Sequence, residues 1–167
     1  MKKLSSILFI LALNTSFAQQ LWMRYPVISP KGDKIAFSYQ GDVFVVDSKG
    51  GTATQITSHT AHDFKPVWNH DGTKLAFASN RFGNFDIFLV SAEGGSPTRL
   101  TYHSAQDFPS TFTRDGKSVL FQSARLDDSK SVQFPYAGLT ELYSVPTEGG
   151  REKQYLTIAA EDVQFNS

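Results

Sequence analysis

Residues Pro66–Phe108 read PVWNHDGTKLAFASNRFGNFDIFLVSAEGGSPTRLTYHSAQDF. An apolar start at Phe64, Val67 and Trp68 precedes an Asp71-Gly72 turn, and Lys74–Ser79 and Asn84–Ser91 follow as two further apolar runs. A Glu93-Gly94-Gly95 turn then leads to Pro97–Thr101. Short runs rich in Phe, Val, Ile and Thr, bounded by Gly, Asn, Asp or Ser, predict strands joined by tight reversals. Asp-Gly and Gly-Gly pairs supply the left-handed backbone angles those reversals need.

The pattern occurs three times. SPKGDKIAF (29–37) matches NHDGTKLAF (69–77) and TRDGKSVLF (113–121). GDVFVVDSKGG (41–51) matches NFDIFLVSAEGG (84–95) and TELYSVPTEGG (140–150). TQITSHTAHDF (54–64) matches TRLTYHSAQDF (98–108) and, more weakly, QYLTIAAEDVQF (154–165). Gly32, Gly72 and Gly116 stand 40 and 44 residues apart, as do Phe37, Phe77 and Phe121. A period of about 40–45 residues with four strands per unit predicts the blades of a β-propeller. The expected fold is all-β, a partial propeller of about three four-stranded antiparallel blades plus the start of a fourth. Blade 1 covers about residues 21–60, blade 2 about 62–104, blade 3 about 106–160, and the fourth begins at 161–167. The three phenylalanines are expected in the core.

Sixteen basic and sixteen acidic side chains balance to zero net charge, with no basic stripe to suit nucleic acid. The absence of cysteine excludes disulfides and thiolate-held metals. Residues 1–18 stand apart. Lys2 and Lys3, an apolar run at Leu4–Leu13, and small residues before Gln19 predict a secretory signal cleaved after Ala18. The run is too short for the ~20 residues of a spanning helix, so an exported chain, periplasmic or extracellular and free of the membrane after cleavage, is expected.

Propellers typically close with 4–8 blades. Three blades and a beginning therefore predict that the remainder of a longer chain, or a second copy, completes the ring. Blade geometry places the Asp-Gly and Gly-Gly turns on one face. Arg81–Asn84, the blade crossings at Ser58–Asp63 and Ser104–Asp107, and an insertion at Ala124–Thr140 fall on the other. Variable loops point to that second face as the working one.

Candidate chemistry on the loop face is sparse. Asp63, Asp107 and Asp162 recur where each first strand begins, and with Arg81 they are the candidates for contact with a substrate or partner. The alternative is that the carboxylates cap backbone N–H groups at the crossings. Arg81 and Asp86, and also Arg125, resemble solvated surface pairs. His59 and His62 with Asp63 could be read as metal ligands, but the second crossing keeps only His103, so a repeating loop explains them better and no metal or other cofactor is expected. There is no Gly-x-Ser-x-Gly elbow, no phosphate loop or dinucleotide fingerprint, and the Asp127-Asp128 pair has no supporting ligands.

RYPVISPKGDKIAFSYQGDVFVV and the 66–104 stretch resemble the TolB-like repeat, and most of all the amino-terminal propeller of exported tricorn-type serine peptidases. The resemblance implies a non-catalytic module that gates or scaffolds peptide substrates, its partners being peptides or proteins. It places the catalytic residues in a later domain, so none is expected here. A TolB-like binding propeller without enzymatic activity, and a propeller lid of another hydrolase, remain as alternatives.

Overall fold

The computed structural model describes residues 22–125 and 140–159. The signal segment, the middle of the insertion, Asp127-Asp128, Asp162 and the expected fourth-blade start lie outside them.

The described residues are all-β and form three four-stranded antiparallel sheets. The first contains β1 (Arg24–Ile28), β2 (Lys34–Tyr39), β3 (Asp42–Asp47) and β4 (Thr54–Gln55) in chain order. The second contains β5 (Asp63–Trp68), β6 (Lys74–Ser79), β7 (Asp86–Ser91) and β8 (Thr98–Arg99). The third contains β9 (Asp107–Phe112), β10 (Ser118–Ser123), β11 (Glu141–Pro146) and β12 (Lys153–Ala159). This is a partial β-propeller.

The register repeats from sheet to sheet. Phe37 faces Phe44, Phe77 faces Phe88, and Phe121 faces Tyr143 across the central strand pair. All three first-named phenylalanines are buried, as expected. The Gly-Gly turns also repeat, with φ of 92° and 125° at Gly50 and Gly51, and 90° and 120° at Gly94 and Gly95. Such angles are open to glycine and strained for other residues.

Side chains alternate across a strand, and the second blade uses both of its faces. Leu75, Phe77, Phe88 and Val90 pack with Trp68 onto Ala36, Val43, Val45 and Ile56 of the first blade. Ala76, Ile87, Leu89 and Leu100 pack onto Phe112, Val119, Phe121, Tyr143 and Val145 of the third. The continuous burial of β6 and β7 follows from this double packing. Trp68 adds a polar tie, its indole N–H donating to Val27 O of the first blade at 3.1 Å.

Each first strand is the edge of its sheet, which explains how it tolerates Pro26, Pro66 and Pro109. The strands bulge there: Tyr25 and Lys65, each just before a proline, have φ of 54° and 55°. In blades 1 and 2 the fourth strands are shorter than the apolar runs at Thr54–Thr57 and Pro97–Thr101 predict, two residues each, while in blade 3 the fourth strand runs over Lys153–Ala159. The chain leaves the ladder because side chains take over its bonds. Val43 N–H donates to the Thr57 hydroxyl at 3.0 Å, and Ile87 N–H to the Thr101 hydroxyl at 2.9 Å.

Candidate functional site

The loop face is built where the first strands begin. β6 ends at Ser79 opposite Asp63, and β10 ends at Ser123 opposite Asp107. Two residues later the chain reaches Arg81 and Arg125, beside those acids. Arg81 Nη2 lies 2.6 Å from Asp63 Oδ2, and its Nε donates to Ser79 Oγ at 2.9 Å. Arg125 holds Asp107 through both Nε (3.3 Å) and Nη2 (2.5 Å), and its Nε also reaches Ser123 Oγ. Each guanidinium covers an aromatic pair: Arg81 lies 4.9 Å from the Phe88 ring centre, and Arg125 lies 4.9 Å from that of Phe121. The motif Phe-x-Ser-x-Arg therefore closes the loop-face end of blades 2 and 3.

Two expectations are corrected here. Arg81 does not pair with Asp86; it reaches back across the sheet to Asp63, while Asp86 is held by Arg99 at 2.7 Å. Nor are these solvated surface pairs, since Asp63, Asp86 and Asp107 have no exposed side-chain surface. Among the described residues, the hydrogen bonds of the Asp63 and Asp107 carboxylates run to guanidinium groups and not to backbone amides. Their own amides tie the blades together: Asp63 N–H donates to Gly41 O at 2.7 Å and Asp107 N–H to Phe85 O at 2.8 Å. Burial pushes the Asp86 carboxyl above its usual range, the charge of Asp107 adds to this, and Arg99 pulls against it. Burial likewise raises the Tyr143 phenol, with Glu141 adding to the effect.

The histidines serve the crossings. His59 Nδ1 accepts Ala61 N–H at 2.9 Å, and His103 Nδ1 accepts Ala105 N–H at 3.0 Å, the same turn twice. His62 stacks on Phe64 with ring centres 5.3 Å apart.

That stack belongs to a feature the sequence reading did not single out. Phe64 and Phe108, each directly after a recurring aspartate, lie 5.7 Å apart between ring centres. Phe85 sits 4.9 Å from Phe64 and 5.7 Å from Phe108, and Tyr25 lies 5.4 Å from Phe64. Beside this cluster opens a cleft of about 550 Å³, lined by Trp22, Arg24, Tyr25, Tyr39, the Gln40-Gly41 turn, residues 59–62, Phe64 and Phe85. The volume falls within the ~300–1,000 Å³ of ligand sites. The Asp-Phe pairs at 63–64 and 107–108 were its visible signal, present in the sequence as repeat markers.

The cleft combines aromatic surface with the guanidinium of Arg24, features suited to binding. Asp63, Arg81 and Asp107 stand behind it, each acid immediately before an aromatic residue of the cluster; Asp162 lies outside the described residues.

Comparisons with known proteins agree with this architecture. The sequence model described as the tricorn protease N-terminal beta propeller domain matches residues 20–167. A TolB homolog of Chlorobium luteolum is 38% identical over 50 residues, which are 30% of this chain and 12% of that protein. Among solved structures, tricorn protease superposes with a TM-score of 0.68 at 23% identity, covering 87% of this chain and 14% of that one. A TolB of Agrobacterium tumefaciens described as putative gives 0.66 at 20% identity, covering 81% of this chain and 46% of its own. At those identities the structures share the fold. The chain thus spans less than half of each of these relatives.

Proposed function

Because the chain belongs to the tricorn protease N-terminal β-propeller family, we propose that it is the non-catalytic propeller module of an exported tricorn-type serine peptidase. In this reading it gates or scaffolds peptides on their way to a catalytic domain carried elsewhere in the same polypeptide. The observation that carries it is the aromatic cluster of Tyr25, Phe64, Phe85 and Phe108 at the loop-face ends of the blades, beside an open cleft. Aromatic side chains provide large contact area with little ordering cost, as peptide-binding surfaces require. Asp63, Asp107 and Arg81 contribute by fixing the strand ends from which Phe64 and Phe108 project. Residues 1–18 act as the export signal, and the remainder of the chain's own polypeptide completes the ring.

The test is a comparison of substrates in the intact protein. Phe64→Ala together with Phe85→Ala should lower kcat/KM for long peptides by about tenfold, which corresponds to ~1.4 kcal/mol. Cleavage of a short amide substrate, small enough to bypass the propeller, should be unchanged. Equal loss on both substrates, or on neither, refutes gating. A second reading, a TolB-like protein-binding propeller with no peptidase, is favoured by the 38% identical segment; an intact protein that binds polypeptides and hydrolyses none would select it.

A further inference from the structure

We propose that the rim of the third blade is a self-association surface, where the outer edge of β12 pairs antiparallel with the β12 of a second copy of this chain. The pairing is independent of the peptide-guiding reading.

Edge length carries the argument. An outermost strand offers unpaired N–H and C=O groups to any extended neighbour, and a very short edge strand is a common guard against this. Blades 1 and 2 have that guard, since β4 and β8 are two residues each. Blade 3 does not: β12 runs seven residues, KQYLTIA, and is the edge of its sheet. It contains no Gly or Pro, and its Tyr, Thr and Ile favour strands. Tyr155 and Leu156 at its middle are 46% and 40% exposed. Its ladder with β11 shifts register twice, and Tyr155, Thr157 and Ile158 have no residue opposite in β11. That leaves main-chain groups which the ladder does not consume.

Charge selects the partner. Glu152 turns inward, its carboxylate 3.6 Å from the Arg125 guanidinium, and Arg151 and Lys153 are exposed at the start of the strand. Glu161 and Asp162 follow its end in the sequence; both lie outside the described residues and enter by position alone. One end is basic and the other acidic, so an antiparallel second copy sets opposite charges together at both ends. Full overlap of the seven residues places Leu156 against Leu156 of the other copy, on the two-fold axis, and Arg151 against Glu161. Such a contact is isologous and closes at two copies. One strand pair buries less than the ~1,200 Å² of a standard interface, so the dimer is weak and concentration-dependent.

Sedimentation equilibrium on the intact protein at low salt, over a wide concentration range, tests this. Arg151→Glu and Glu161→Arg should each weaken dimerisation about tenfold, because two opposite-charge pairs become like-charge pairs, and leave the melting temperature unchanged. Mixing the two variants should restore dimerisation, since the mixed dimer has opposite signs in both pairs. Amides of residues 153–159 should exchange more slowly at high protein concentration than at low. Dimerisation unchanged in both variants, or lost in both and not recovered on mixing, overturns the proposal. A native protein that stays monomeric at the highest concentration does so too. Protection of those amides at every concentration would show the edge covered by another segment of the same polypeptide, and also overturns it. Each of these failures leaves the peptide-guiding reading standing.

Discussion

Blades 1 and 2 are built on one template and end differently on the loop face. In blade 2 six residues join β6 to β7, and Arg81 within them folds back onto Asp63. In blade 1 only Gln40 and Gly41 join β2 to β3, with φ of 50° and 92°. That two-residue turn matches the twist of the strands it connects, and it carries no arginine to cover the blade end. The cleft opens against this short turn. On the opposite face the two blades are nearly interchangeable. The repeat thus provides stability, and a four-residue difference in one connection leaves room for the cleft.

The largest expected effect concerns packing. Phe77 is sealed between two blades, whereas Phe37 occupies the same position in a blade with a described neighbour on one side. Phe77→Ala should cost about 3–5 kcal/mol, the usual range for a buried Phe, and leave little soluble protein. Phe37→Ala should cost measurably less in denaturant titration. Equal losses would mean that blade 1 is buttressed as fully as blade 2.

Next comes the arginine clip. Asp63→Ala leaves the largely buried Arg81 guanidinium without its partner and should cost about 3 kcal/mol, the low end for a broken buried pair because Arg81 retains some exposure. Asp63→Leu combined with Arg81→Met should recover most of that loss in thermal melts. Blade 1 has Met23 and Gly41 at the corresponding positions, so Met23→Ala should have a minor effect. A Met23 effect as large as that of Asp63 would erase the distinction between the two blade ends.

The smallest effect should be common to all blades. Hydroxyls of Ser29, Thr73 and Thr113 donate to Asp33, Asp71 and Asp115 at the exposed turns, and hold all three carboxyls below their ordinary range. A group with a depressed folded pKa stabilises the fold above its unfolded value, near 3.8, and loses that contribution as pH falls through the folded value. Stability should therefore decline below about pH 4. Asp71→Asn or Asp115→Asn should flatten that decline slightly and to the same degree. Asp86, with its raised value, acts in the opposite sense, because protonation relieves its burial as pH falls through that value. Unequal responses from Asp71 and Asp115 would break the equivalence of the turn face.

Much of this was legible in the sequence because the repeated units carry their turn residues at fixed offsets. Gly32, Gly72 and Gly116, together with Phe37, Phe77 and Phe121, were enough to set strand order and register. The fourth strands of blades 1 and 2 fall short of the pattern because Thr57 and Thr101 look like strand residues and instead use their hydroxyls to replace ladder bonds. The partner of Arg81 was misassigned for a similar reason. Asp86 is close in sequence, but antiparallel pairing brings Asp63, eighteen residues away, alongside it. The same eighteen-residue interval between Asp107 and Arg125 was present as a clue. The cleft was invisible because it arises from an offset between copies, which a search for sameness discards.

The main-chain bonds from Asp63 N–H to Gly41 O and from Asp107 N–H to Phe85 O sew the start of each blade to its predecessor. Adjacent sheets so stitched cannot part at that end without breaking a main-chain hydrogen bond, and are expected to move together as a wedge. Any opening between blades is then expected at a seam without that stitch, and slow amide exchange at positions 63 and 107 would mark the wedge that does not yield.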